Sequence, residues 1–481
     1  MALICGYQIV RALADYPIWD GDAAGFWPHV KSYAETGRFN NLVFAPFLEW
    51  QTGYAHAENT YSHGFLTPML LAMLSGGDYH RLHLVLALMH VVSTAFLLLA
   101  VNRVLPKDVP AWCNCLMQIL VASFFNWSCY DPSRPESVTC APICLFLWLA
   151  LGCRITYWTL FFLGVGCALV FWFNPVPGVL LAAMISFLLA SGKEACSLKW
   201  LRVTAFSVTI ACAASIVFVT LYPGEWVGFI QGFYQVGRFN LTISELTYFA
   251  AWFVRKVEYP LLLLPLVACG VLLADRAQRN VRAGVDAFLS SLAGILFLLL
   301  CWRLGVRAPF RSYVFLPLLP VMMVMLMPFA SSALKPANDK RLAWLAAIAI
   351  ILTGVANGAM IATDLVRFTS YLSHGVPLHT TRGWMASVRE KAPEAKIGFT
   401  GALFPCAEHD ANAALFQPEA PRSEDFLFVQ QVNTGRLVPP ELEGYRLIEH
   451  NFVTHVPHFI LQVGRITPGY SAALYERVRP F

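Results

Sequence analysis

Ten stretches of this chain are apolar for long enough to meet or approach the roughly 20 residues that cross a bilayer core about 30 Å thick. They run approximately 82–102, 112–129, 138–153, 155–173, 177–192, 201–221, 259–274, 285–302, 312–333 and 342–363. Only 13% of the 481 residues are charged, against about 25% in a soluble domain. The expected fold is a polytopic α-helical membrane protein of about 11 spans, the eleventh being a short first one. Lys and Arg outnumber Asp and Glu only 34 to 29, too little to imply a nucleic-acid partner.

The loops between these runs carry a topology signal, because Lys and Arg collect on the cytoplasmic side. One alternate set holds Arg103 and Lys107, then Arg154, then Lys193, Lys199 and Arg202, then Arg276, Arg279 and Arg282, then Lys335, Lys340 and Arg341. The other set is placed outside: residues before 81, 130–137, 174–176, 222–258, 303–311 and everything after 363.

Residues 1 to 10 are apolar, and Arg11 and Asp15 then break the run. A short first span, a truncated span and a weak signal peptide all fit, and all leave Asp20 outside. Two units are expected: a membrane unit over 1–368, whose first external loop covers about 19–80, and a soluble α/β unit over 369–481. In the second, Arg382 to Lys391 reads as a helix ending before Pro393, and Ile397–Thr400, Phe426–Val429 and Phe459–Val463 read as strands. Of the 13 cysteines only Cys406 lies in that polar tail, so no disulfide framework is implied there.

The first outward segment begins Trp19-Asp20-Gly21-Asp22. Two carboxylates two residues apart can divide base and orienting roles or share one divalent cation, Mg²⁺ or Mn²⁺. The plainer reading is that Asp22 caps a helix over 23–36 that Gly37 ends, with Pro28 bending or restarting it. Further on come Tyr61-Ser62-His63-Gly64-Phe65-Leu66-Thr67-Pro68 and a stretch, 65–74, too short to cross. Between two spans lies Tyr130-Asp131-Pro132-Ser133-Arg134-Pro135-Glu136, which is equally readable as a proline-rich turn. A late outward loop holds Arg303, Arg307 and Arg311 ahead of Tyr313 and Pro317. That runs against the positive-inside bias; guanidinium groups there suit phosphate oxygens or lipid headgroups.

In this order the motifs resemble the GT-C membrane glycosyltransferases, such as the protein O-mannosyltransferases and the lipid A aminoarabinose transferases. The detailed matches are confined to 19–68, 130–136 and 303–320. The resemblance implies juxtamembrane helices in the first external loop and a catalytic role for Asp20 and Asp22. It puts Asp131, Arg134 and Glu136 in the second external loop beside the site, lines the substrate with Tyr61 and His63, and makes Arg303, Arg307 and Arg311 the donor-phosphate ligands. It implies transfer of a sugar, with inversion, from a polyprenyl-phosphate donor to a glycan, lipid or protein acceptor on the extracytoplasmic face, a bacterial periplasm being the expected setting. Whether a cation joins the acidic pair stays open. A transporter or flippase for a lipid-linked substrate, or an inactive scaffold of the same shape, are the alternative readings.

Overall fold

A computed structural model describes residues 2–16, 19, 23–40, 64–105, 111–128, 130–132, 134–152, 156–190 and 196–221, scattered positions from 324 to 372, and 377–400, 403–407, 410, 412–415, 424–432, 441–452 and 470–478.

The helices in chain order are α1 (Ala2–Leu13), α2 (Ala23–Phe26), α3 (Pro28–Thr36), α4 (Leu66–Ser75), α5 (Tyr79–Val104), α6 (Ala111–Ser128), α7 (Pro135–Gly152), α8 (Tyr157–Phe173), α9 (Pro175–Ala190) and α10 (Cys196–Leu221). Each of α5 to α10 forms over one of the first six apolar runs. Residues 79–103 of α5 are long and apolar enough to cross a bilayer unaided, and among the described residues no other helix meets both conditions. The bundle's outer face is nonetheless oily: Val92 and Leu99 on α5, Phe161 and Phe162 on α8, and Val208 and Ile216 on α10 are all largely exposed. Apolar side chains exposed on several helices at once suit lipid better than water. The chain is therefore read as a membrane protein. The spans expected beyond residue 221 lie almost wholly outside the described residues, and the three phosphate-loop arginines with them.

Local chemistry sets the helix ends. Asp78 caps α5 by accepting the Arg81 N–H at 2.8 Å, and Thr156 caps α8 by accepting that of Thr159. Pro28 restarts the helix after Trp27 and sits in the first turn of α3, where its missing N–H costs nothing. Gly37, at φ 72°, ends α3 in the left-handed conformation that favours glycine. The loop assignments need correction: Arg103 lies inside α5, and Lys199 and Arg202 lie inside α10. Helical hydrogen bonding carries the backbone past the apolar run into the interface, where long basic side chains reach water.

The C-terminal unit is a mixed five-stranded sheet of order β2-β1-β3-β5-β4, built from β1 (Ile397–Phe399), β2 (Ala413–Leu415), β3 (Phe426–Val432), β4 (Tyr445–Phe452) and β5 (Tyr470–Arg477). The pairs β1–β2 and β1–β3 are parallel, whereas β3–β5 and β5–β4 are antiparallel. Helices α11 (Pro377–Lys391) and α12 (Phe404–Ala407) accompany it. The helix over 382–391 thus begins five residues earlier than the sequence suggests, and strands form over two of the three expected runs. The third, 459–463, lies outside the described residues.

One face of this sheet does not stand apart from the membrane unit. Ile397, Phe399, Phe428 and Leu474, with Met385 and Val388 of α11, share a single buried core with Trp19, Ala23, Trp27, Val30, Leu71 and Leu82. Trp19, residues 23–30 and the tail are thus packed into one core together with the start of α5.

Candidate active site

The site region begins where α1 stops. Asp15 closes that helix in a left-handed conformation, φ 54°, which Asp tolerates better than most residues, while the Tyr16 N–H returns to the Arg11 carbonyl. The Asp15 carboxylate then meets His80 of α5 at 2.8 Å, with His83 Nδ1 at 4.0 Å. Arg11 is buried against Asp364, and Tyr371 donates its hydroxyl to the Ala14 carbonyl. These contacts tie the end of α1 to α5 and to a helical position late in the chain, on the approach to the acidic triplet.

Trp19 is the last described residue before that triplet and is 4% exposed. Its ring lies 4.7 Å from the His83 ring, 6.2 Å from that of Trp27 and 6.4 Å from that of Phe404. Trp27 is fully buried and donates its indole N–H to the Pro132 carbonyl at 2.9 Å. That bond joins the segment around 19–36 to the one around 130–137. Within the second, the Ser137 hydroxyl donates to the Asp131 carbonyl and accepts the Asp131 N–H, and the Arg134 N–H closes the turn on the same carbonyl.

Asp131 is half-buried, and Arg134 is buried with its guanidinium 5.9 Å from the Phe26 ring. Glu136 falls in the first turn of α7. Tyr130 turns its ring toward His90 at 4.9 Å. Burial holds its phenol well above the ordinary tyrosine range, an effect that Arg11 opposes and the Asp131 carboxylate adds to.

On the other flank, Tyr33 and Phe39 stack at 4.6 Å, and Phe39 and Phe65 lead to Trp172 at the end of α8. Thr67 donates to the Phe173 carbonyl at 2.7 Å. Gly64 lies so close to the Trp172 carbonyl that a Cβ would overlap it. The α4 stretch after the Tyr61–His63 segment is therefore seated against the end of α8.

The described residues thus bring together the flanks of the triplet, Asp131, Arg134 and the tail. Asp20, Asp22, Tyr61, His63, Arg303, Arg307 and Arg311 lie outside the described residues, as does the Glu136 side chain. Among the described residues no three His, Cys, Asp or Glu side chains gather as a metal-holding group. Sequence reasoning read Arg11 only as a break in the first apolar run and passed over His83 and Asp364. A histidine or arginine inside an apolar run was the available signal, since such groups rarely enter a membrane without a partner or a task.

No family model matches the chain, and no curated protein is similar to it. Among solved structures it is similar to the cryo-EM structure of the arabinofuranosyltransferase AftD from Mycobacteria, at 12% identity and a TM-score of 0.48, over 100% of this chain and 40% of that one. The chain spans well under half the length of that protein, and an overlap this loose carries neither activity nor substrate from one to the other.

Proposed function

We propose that this protein is a membrane glycosyltransferase of the GT-C type, moving a sugar from a polyprenyl-phosphate donor to an acceptor on the extracytoplasmic side. The observation that carries the reading is the Trp27 to Pro132 hydrogen bond, 2.9 Å long. It ties the segment just after the acidic triplet to the loop holding Asp131 and Arg134, two stretches that sequence order alone leaves apart.

In this reaction Asp20 or Asp22 takes the proton from the acceptor hydroxyl as its oxygen attacks the anomeric carbon. The bond from that carbon to the phosphate oxygen breaks on the opposite face, so the configuration inverts. Arg303, Arg307 and Arg311 meet the negative charge that gathers on the departing lipid phosphate. A carboxylate with an ordinary pKa is already ionised near neutral pH, so positioning, more than pKa tuning, would supply much of the rate. A divalent cation between Asp20 and Asp22 would orient the same groups.

A transporter reading draws on one observation. The Gln8 side chain donates to the Asn126 carbonyl, and the Asn126 side chain donates to Thr94, inside the bundle between α1, α5 and α6. Polar groups at such depth also occur on substrate paths.

The test is purified protein in lipid, given a panel of polyprenyl-phosphate sugars and followed for release of polyprenyl phosphate. Release from at least one donor, dependent on an acceptor, supports the transferase. Movement of donor across the bilayer without any cleavage supports the transporter and removes the transferase.

A further inference from the structure

Trp19 is a meeting point for three parts of the chain that are far apart in sequence. His83 reaches it from α5, Trp27 from the first external loop and Phe404 from the tail, with ring centroids 4.7, 6.2 and 6.4 Å away. Each of these partners is itself fully buried. Phe404 is held in turn by Tyr79, edge to face at 5.0 Å. The His83 ring lies tilted by 37° against the indole, with Nδ1 4.0 Å from the Asp15 carboxylate. A tryptophan enclosed in this way has little rotamer freedom, and its Cα is fixed with it. Asp20 is the next residue along the chain.

We propose that Trp19 is a positioning residue for the Asp20-Gly21-Asp22 segment, clamped between His83 and Phe404, and that the tail is thereby a working part of the site. The inference rests on the transferase reading for its chemistry and on the described contacts for its geometry. It goes beyond acceptor selection, the role a soluble tail over the membrane would ordinarily suggest. If Asp20 or Asp22 is the base, a shift of about 1 Å in the backbone that carries it lowers turnover on the order of 100-fold, whereas donor binding at the arginine loop is left alone. A tryptophan that only fills a core would change stability and leave the turnover of folded molecules where it was.

The experiment uses the full chain in lipid nanodiscs, comparing the unmutated protein with Phe404→Ala, Phe404→Leu and Leu427→Ala. Leu427 is fully buried in a separate core of the same sheet and does not belong to the Trp19 cluster, so its truncation is the stability control. Two quantities are read per folded molecule: turnover of a polyprenyl-phosphate sugar, and amide hydrogen exchange in a peptide spanning residues 16–27.

In Phe404→Ala, kcat should fall roughly 10- to 100-fold with donor KM within about twofold, and exchange in that peptide should rise. Phe404→Leu should recover most of both, and Leu427→Ala should change neither. The proposal is overturned if Phe404→Ala leaves exchange in the 16–27 peptide unchanged, or if exchange rises while kcat stays put. If the unmutated protein turns over no donor, the transferase reading fails by itself and the clamp is judged on exchange alone.

Discussion

Arg11 of α1 and Asp364, far along the chain, form a largely buried ion pair with Nη1 3.0 Å from Oδ2, and the Tyr7 hydroxyl donates to the same oxygen at 2.8 Å. The guanidinium also lies over the Tyr7 and Tyr16 rings. Removing one partner leaves an uncompensated buried charge, which costs about 3–5 kcal/mol. Asp364→Asn should therefore lower the thermal midpoint in detergent sharply. The double variant Arg11→Met with Asp364→Leu should be far closer to the unmutated protein than either single change. Additive losses in the double variant would mean that the pair does not act as a unit.

The seat of α4 against α8 gives a second prediction. A Cβ at Gly64 would overlap the Trp172 carbonyl, which is backbone and cannot swing aside. Gly64→Ala should destabilise by at least the 1–3 kcal/mol typical of overpacking. Gly25 sits in the same loop with open space around it, and Gly25→Ala should be close to neutral. Equal thermal midpoints for the two variants would contradict the close approach.

A third concerns the tail. Arg389 makes a paired contact with Asp410, Nε to Oδ2 at 2.5 Å and Nη2 to Oδ1 at 2.6 Å, and also donates to the carbonyls of Pro393 and Ala395. Lysine keeps the charge but not the fork. Arg389→Lys should cost about 2 kcal/mol, each lost charge-assisted bond being worth about 1.5–3 kcal/mol before rearrangement. Calorimetry of the full chain would detect it as a lower unfolding transition.

Tyr475, in the middle of the β3–β5–β4 ladder, supplies the pH dependence. Burial pushes its phenol up to about 12. The unfolded chain ionises near the ordinary tyrosine value, about 10, so the folded state binds the extra proton between those values. Stability from this group is complete below about pH 10 and is lost as pH rises toward 12. Tyr475→Phe should flatten the fall in thermal midpoint between about pH 9.5 and 11.5, relative to the unmutated protein. Parallel curves would show that Tyr475 does not titrate in this way.

Much of the membrane unit was legible because apolar runs have a physical length requirement: 82–102, 112–129 and 155–173 became Tyr79–Val104, Ala111–Ser128 and Tyr157–Phe173. Pro28 and Gly37 were legible from backbone chemistry: proline suits the first turn of a helix, and glycine takes the left-handed conformation that ends one. The strand Tyr445–Phe452 was not. It is an edge strand whose exposed run from Arg446 to His450 carries no core-facing pattern, and its place depends on β5. Arg11 and Asp15 read as defects in a short first span because their partners, Asp364 and His80, lie far along the chain. For the same reason the candidate site was visible as separate motifs, while Trp19 as their junction was not.

The central claim is that one carboxylate of the acidic triplet takes a proton during sugar transfer. Its most direct test is the single-turnover rate of transfer from a saturating polyprenyl-phosphate sugar, measured in lipid for the unmutated protein, Asp20→Asn and Asp22→Asn. The account predicts that one of the two variants loses at least 100-fold in that rate while still binding donor, since general-base catalysis is worth about 10²–10⁴. Full rates in both variants, beside an active unmutated protein, would contradict it.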